Sequence, residues 1–441
     1  MNKRFLLVLV AVLVLFAFGI AGAYQIDGLK TGNGPGLPKK LVNFVNPGGL
    51  GDALIYNYFN ARNGMITYFS VVNTGELNGS RARIRFYEAA DVVGNHDCIP
   101  SEPRGSFEIL DFDLCLSKGD IWSGYIMQDG DHGVLCSDDN DTNIIISDDP
   151  SAPVTPWTAR GFANNCVSFK YGTANIETAI LADHTLEGYF VVIGERQANP
   201  GVGYCGDIAG SDVKNALAGN VVMIDDTNSF GYNAVAIGDF ANTDITGAIA
   251  SKQPELGDGT NGSNPRDIDN INYILTKSDL FQVYRLLDGG ATDYILTSPT
   301  KKLSQLCGPA NDIFDDTSAT FTSWDDEEQT RTRVCEFSPC PPTEGNNLPY
   351  EVNIIRLSRQ DPVAPLLLTT VLAQDVDPQF NFGWFRINLA DQTTTHFTRF
   401  GAQRSNGWPI LGLAIGSNAT QDYMVTVPMW YKNSVENMST P

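Results

Sequence analysis

Apolar and polar residues alternate singly along much of this chain. In Arg81-Ala82-Arg83-Ile84-Arg85-Phe86 the apolar side chains fall on one face and the three arginines on the other, the period of a half-buried β-strand. Upstream, the apolar run from Met65 to Val72 ends at the turn-forming Asn73-Thr74-Gly75. Downstream, Leu110, Phe112 and Leu114 alternate with Ile109, Asp111 and Asp113. If the second and third of these strands are antiparallel neighbours, Arg83 and Arg85 lie beside Asp111 and Asp113. Exposed pairs of that kind fix register and contribute roughly 0.2 to 1 kcal/mol each.

The same pattern predicts strands over 121–127, 189–194, 221–225, 234–237, 294–297, 352–357, 366–372, 384–389 and 423–431. Helix is scarce. Leu280, Val283, Tyr284 and Leu287 share one face behind Ser278 as N-cap and before Gly289-Gly290, which predicts a helix over 279–287; a shorter one is expected over 212–218. No internal repeat of fixed period is visible. Many strands, few helices and no βαβ alternation predict an all-β fold: a β-sandwich, immunoglobulin-like or jelly-roll-like, with long loops, one or two short helices and disulfides.

The N-terminus has a different pattern. Lys3 and Arg4 precede an unbroken apolar run from Phe5 to Phe18, followed by the small-residue site Ala21-Gly22-Ala23, the layout of a cleaved secretory signal peptide. The expected organisation is therefore a signal peptide (1–23), an extended Gly/Pro-rich leader (24–47), an N-terminal β-sandwich domain (48–198) and a C-terminal β-rich domain (199–441). The last boundary is placed at the pattern break Gln197-Ala198-Asn199-Pro200-Gly201. No transmembrane segment is expected after cleavage. The leader ends in Leu41, Val42, Phe44 and Val45, a short apolar tail suited to pairing with a sheet edge, its own or a neighbour's.

Charge narrows the choice of partners. Cleavage removes two of 29 basic residues and none of 51 acidic ones, leaving a formal charge of -24. That field repels nucleic acid, whose recognition needs a basic stripe. Eight cysteines in an exported chain, Cys98, Cys115, Cys136, Cys166, Cys205, Cys307, Cys335 and Cys340, read as disulfides. About a hundred pairings are open to eight cysteines; nearest-neighbour closure suggests Cys98 with Cys115, Cys136 with Cys166, and Cys335 with Cys340.

Candidate chemistry is thin. The four histidines, His96, His132, His184 and His396, form no H-x-x-x-H pair, and there is no G-x-S-x-G elbow. Glu187 and Glu195 flank one strand and stand too far apart to act as paired carboxylates. No catalytic residue and no cofactor are expected. Asp138, Asp139 and Asp141, with Asn140 and Asn143, make an oxygen-rich loop in which calcium is the cation to test, although the Gly and Glu of an EF-hand are missing. Trp324, followed by four acidic residues, is the tryptophan expected to be exposed and the candidate glycan contact.

Successive blocks, Gly51-Asp52-Ala53-Leu54-Ile55, Asn60 to Asn73 (NARNGMITYFSVVN), Glu108 to Trp122 (EILDFDLCLSKGDIW), Glu187 to Glu195 (EGYFVVIGE), Tyr232-Asn233-Ala234 and Thr292 to Lys301 (TDYILTSPTK), resemble a family of secreted Gram-negative bacterial surface proteins without an assigned activity. The resemblance implies export to the outer cell surface or beyond, and supplies no catalytic residues. The expected function is a non-enzymatic structural or adhesive protein, self-associating as a filament or surface layer by strand addition, with other surface proteins as further partners. The alternative is a carbohydrate-binding module or secreted glycan-acting hydrolase.

Overall fold

Single-residue alternation becomes strand after strand in the computed structural model of the protein. It describes residues 44–75, 80–89, 106–146, 154–172, 180–195, 216–226, 229–238, 275–286, 290–299, 317–324, 330–332, 347–348, 350–358, 373–376, 381–389, 395–398, 401–404, 408–417 and 424–433. The first strands are β1 (Phe44–Asn46), β2 (Ala53–Asn60), β3 (Ile66–Asn73), β4 (Ser80–Glu88), β5 (Glu108–Leu116), β6 (Ile121–Asp129) and β7 (His132–Cys136). They are followed by β8 (Asn143–Ile145), β9 (Thr155–Pro156), β10 (Cys166–Ser168), β11 (Glu187–Glu195), β12 (Leu217–Ile224), β13 (Ser229–Asn233) and β14 (Val235–Gly238). The second series begins with β15 (Thr276–Arg285), β16 (Ala291–Thr297), β17 (Thr317–Ser318), β18 (Thr320–Trp324), β19 (Thr330–Thr332), β20 (Asn347–Leu348) and β21 (Val352–Ser358). It closes with β22 (Ala373–Val376), β23 (Phe382–Asn388), β24 (Thr395–Thr398), β25 (Gly401–Arg404), β26 (Trp408–Pro409), β27 (Leu411–Ser417), β28 (Met424–Pro428) and β29 (Trp430–Asn433).

Four main sheets result. Sheet I runs β10-β7-β6-β3-β12-β13 and sheet II runs β1-β14-β2-β11-β4-β5-β8-β9. Sheet III runs β22-β21-β16-β27-β28, and sheet IV runs β19-β18-β23-β15-β26 with β29 also paired to β15. The sheets pack face to face in the order I, II, III, IV. Phe69 and Trp122 of sheet I meet Phe86, Phe112 and Phe190 of sheet II in one aromatic core. The other face of sheet II receives Ile295, Val352, Ile354, Leu411, Leu413 and Ile415 of sheet III in the same apolar cluster. Tyr294 and Leu296, pointing the opposite way from β16, join Phe321, Phe385 and Ile387 of sheet IV in a second core. Every residue of β2 is buried, as expected of a strand covered on both faces.

The two sandwiches repeat one topology. The path β14-β2-β11-β4-β5 in sheet II matches β29-β15-β23-β18-β19 in sheet IV, and β7-β6-β3-β12-β13 in sheet I matches β22-β21-β16-β27-β28 in sheet III. Backbone bonds at strand ends recur in the same places. Asn73 N–H donates to Asp120 O as Ser298 does to Glu351; Ala61 donates to Leu186 as Leu286 does to Asn381; Gly194 donates to Asp52 as Leu389 does to Ser278; Ala234 donates to Gly219 as Met429 does to Gly412. One pairing differs: β22 runs parallel to β21, whereas β7 is antiparallel to β6. The repeat escapes a fixed-period search because loops of unequal length separate matching strands.

Several expectations change on contact with this fold. Residues 279–285 lie in a strand, not a helix: Leu280, Gln282 and Tyr284 are buried while Val283 and Arg285 are exposed, and β23 and β29 supply ladders to both edges. The sequence satisfies both periods there, and tertiary pairing decides. The expected helix over 212–218 ends in β12 at Leu217 and Ala218, its first residues lying outside the described ones. The helical segments among the described residues are 3-10 turns such as Trp157–Arg160 and Ala182–Leu186. The expected strand over 366–372 lies outside the described residues. Strands β12 to β14, beyond the expected boundary at 198, are hydrogen-bonded to β3 and β2, so the first sandwich draws on residues from both sides of it.

The two strands are antiparallel neighbours with Arg83 and Arg85 beside the two aspartates, and the register pairs Arg83 with Asp113 and Arg85 with Asp111. The pairs are buried rather than exposed, with Arg83, Arg85 and Asp113 each at most 3% accessible. Cys136 and Cys166 face each other across β7 and β10 and form a disulfide. Cys115 is also disulfide-bonded. Cys98, Cys205, Cys307, Cys335 and Cys340 lie outside the described residues.

Candidate functional site

Among the described residues, five of the seven exposed large apolar side chains, Val283, Phe382, Trp384, Trp430 and Tyr431, lie on sheet IV, which locates the open surface of the molecule. Alternation in β23 explains how they get there: Gly383, Phe385 and Ile387 point into the second core, and Phe382, Trp384 and Arg386 point out. In register beside them stand Val283 next to Trp384 and Phe281 next to Arg386 on β15, then Trp430 across from Phe281. On the far side Trp324 of β18 opposes Trp384, their rings stacked at 3.8 Å and 6°. The indoles stand on the sheet with one face each turned to the other. Arg386 is tied down by Asp279, Nε to Oδ1 at 2.6 Å.

At the rim of this face Lys277 is buried, its Nζ 4.0 Å from the centre of the Tyr431 ring. Burial pushes its ammonium down from 10.5 to about 8. A group whose folded pKa is lowered binds fewer protons than the unfolded chain between those two values, so stability rises with pH across that window. The full penalty, on the order of 3 kcal/mol, is present below pH 8 and is relieved toward pH 10.5. Lys277→Met is therefore expected to be more stable than wild type at pH 7, with the gap closing by pH 10.5. Paired urea titrations check it; a gap independent of pH would refute the assignment.

The polar clusters have a different character. Glu187, fully buried, accepts from Tyr58 Oη at 2.7 Å and Arg62 Nε at 3.2 Å. Glu88, on the neighbouring strand and equally buried, accepts from the Phe107 N–H at 3.2 Å and lies 3.5 Å from His184 Nδ1. This is the assembly of acid, base and cation that sequence spacing missed, because β4, β11 and the 182–186 turn bring it together from distant positions. It is buried: His184 is 2% accessible and both carboxylates are fully buried. The network holds the ends of three strands.

Asp138, Asp139 and Asp141 share one loop, and the oxygens of Asp138 and Asp139 accept from protein donors. Asp139 Oδ1 accepts from the Asp141 and Thr142 N–H groups at 3.1 and 2.7 Å, a turn cap. Asp138 Oδ1 accepts from Asn165 Nδ2 at 3.2 Å. No group of three His, Cys, Asp or Glu side chains converges among the described residues.

Trp324 is half-buried, while Trp384 at 38% and Trp430 at 56% are more open. Trp122 and Trp157 are core residues. A legible signal for the surface did exist: Phe382-Gly383-Trp384-Phe385 places aromatic rings on both faces of one strand, so one of them must face outward or a partner. Phe44–Asn46 pairs with the chain's own β14, opposite Gly238, Ile237 and Ala236. Leu41 and Val42 lie outside the described residues. Among the described residues no helix is long and apolar enough to cross a membrane. No protein-family model, no curated protein and no solved structure matches the chain.

Proposed function

We propose that this is an exported, non-enzymatic structural or adhesive protein of the cell surface or extracellular space that associates through its sheets. The observation that carries the reading is the aromatic outer face of sheet IV. Contiguous apolar surface on a soluble fold marks an interaction site, and tryptophans at its centre are the residue type that dominates protein contacts. The burial of Glu88, His184 and Glu187 supports a role without catalysis. Because Phe44–Asn46 is already paired within the chain, the faces of the stack, rather than the leader, are the surfaces this reading favours for assembly.

The test is light scattering and electron microscopy of the mature, oxidised protein over a concentration series. Concentration-dependent oligomers or filaments are expected; a monomer at every concentration would overturn the reading. Removing residues 24–43 should leave assembly intact if the faces carry it, and abolish it if strand addition does.

Carbohydrate binding is the second reading, and the exposed rings are what favour it. Stacking on a sugar needs a free ring face, whereas Trp324 and Trp384 each cover one face of the other. Loss of glycan-array binding in Trp324→Ala would support it.

A further inference from the structure

The molecule already contains one worked example of what its aromatic face packs against. We infer that sheet IV docks on the outer face of sheet I of a second copy, in the way sheet II docks on sheet III within the chain, so that copies stack head to tail. The inference rests on the self-association reading above and names its two surfaces.

Sheets II and IV are matching layers of the repeated sandwich, and so are sheets I and III. Within the chain the outer face of the first sandwich's sheet II meets the outer face of the second sandwich's sheet III. This contact is heterologous: two different surfaces meet, and each sandwich possesses both. The second sandwich therefore still offers its version of the first surface, sheet IV, and the first sandwich its version of the second, sheet I. Those are the two ends of the four-layer stack.

The correspondence extends to side chains. The spacing that separates Leu186 from Asn381 and Gly194 from Leu389 also separates Tyr189 from Trp384. Tyr189 faces Tyr87 across the ladder as Trp384 faces Trp324. Both are stacked cross-strand pairs, Tyr87 with Tyr189 at 5.0 Å and 13°. The tyrosine pair is buried, and Tyr189 Oη donates to Glu351 Oε2 of the docked sandwich at 2.7 Å. The tryptophan pair is the same device without its cover. Glu351 corresponds to Asp120, each accepting the matching backbone bond at a strand end. Asp120 of the next copy is the acceptor that the Trp384 indole N–H would meet.

The receiving face is more polar than its internal counterpart. Where sheet III presents Val352 and Ile415, sheet I keeps Ile121, 45% exposed, and Val222; where sheet III presents Ile295, Ile354 and Leu413, sheet I has Ser70, Ser123 and Asn220. Ser70 Oγ donates to Asn220 Oδ1 at 3.0 Å across that face. An intermolecular contact there is wetter and weaker than the fused internal one, which leaves the chain soluble until it is concentrated.

Sedimentation velocity and negative-stain microscopy at about 0.15 M salt, where the Debye length of about 8 Å screens the acidic chains from one another, test this with variants on each end. Trp384→Glu and Val283→Arg alter sheet IV, and Ser123→Arg alters sheet I; unchanged near-ultraviolet dichroism shows that each is folded. Each variant alone is expected to be monomeric where wild type forms linear oligomers. Mixing Trp384→Glu with Ser123→Arg leaves one intact end on each molecule and is expected to give dimers and nothing longer. If wild type assembles but Ser123→Arg assembles equally well, sheet IV pairs with something other than sheet I and the inference fails while the self-association reading stands. If wild type itself stays monomeric, both fail.

Discussion

Asp113→Ala is expected to lower the stability of the protein by about 3 kcal/mol, the cost of removing the buried carboxylate that two arginines of the ladder share. Asp113 is 1% accessible, and its two oxygens serve different arginines: Oδ2 takes Arg81 and Oδ1 takes Arg83 Nη1 at 3.1 Å. Arg83 also reaches Asp111, and Arg85 reaches Glu108 at 2.8 Å. The alternation that sends Ile84 and Phe86 into the core places these arginines on the opposite face, and the fold then covers that face too. A surface ladder would lose a few tenths of a kcal/mol on such a change. Urea unfolding of the oxidised monomer separates the two cases, and a loss below about 1 kcal/mol would show that the ladder is open to water. A double-mutant cycle of Arg81→Ala with Asp113→Ala should return a coupling well above that of an exposed pair.

Gly188→Ala is expected to cost about 3 kcal/mol or more. A Cβ at Gly188 would overlap the Tyr87 carbonyl oxygen and stand 2.9 Å from Phe59 Cε1 and 3.0 Å from the Glu88 carbonyl carbon. Two of those neighbours are backbone of β4, which cannot rotate away. The position lies at a register shift between β11 and β2, where the chain draws in to set Glu187 against Tyr58 and Arg62. Gly416→Ala is the control: the nearest atom to its Cβ is Thr292 Oγ1 at 3.7 Å, ordinary contact, and the change should be neutral within about 1 kcal/mol. Equal melting temperatures for the two alanine variants would refute the close-approach argument.

Apolar patterning was enough to find β3, β4, β5 and β6 nearly to their ends, and with them the all-β class and the placing of Arg83 and Arg85 beside Asp111 and Asp113. It was enough because side chains of a strand take opposite faces in turn and one face of each of these is apolar. It misread 279–285 because Leu280, Val283, Tyr284 and Leu287 also fit a helical stripe, and only β23 and β29 on either side settle the ambiguity. The acidic run after Trp324 singled it out as the exposed tryptophan, whereas Trp324 is half-buried and Trp384 and Trp430 are the exposed ones, since burial of a ring depends on which face of the sheet is covered.

What the sequence by itself determined, then, is local: where most of the strands run, which residues share a face, and that the chain is strongly acidic; that Cys136 closes on Cys166 is decided by the pairing of β7 with β10. What only the tertiary structure decided is which faces meet. Arginines read as solvent-facing are buried because sheet II is covered on both sides, and the acid pair Glu88 and Glu187 is buried because three distant segments converge on it. The repeated sandwich is likewise invisible in residue order, since matching strands are separated by loops of different length and matched positions such as Ile295 and Ser70 differ with their surroundings. Strand order and backbone hydrogen bonds show the correspondence because they depend on main-chain geometry rather than on side chains.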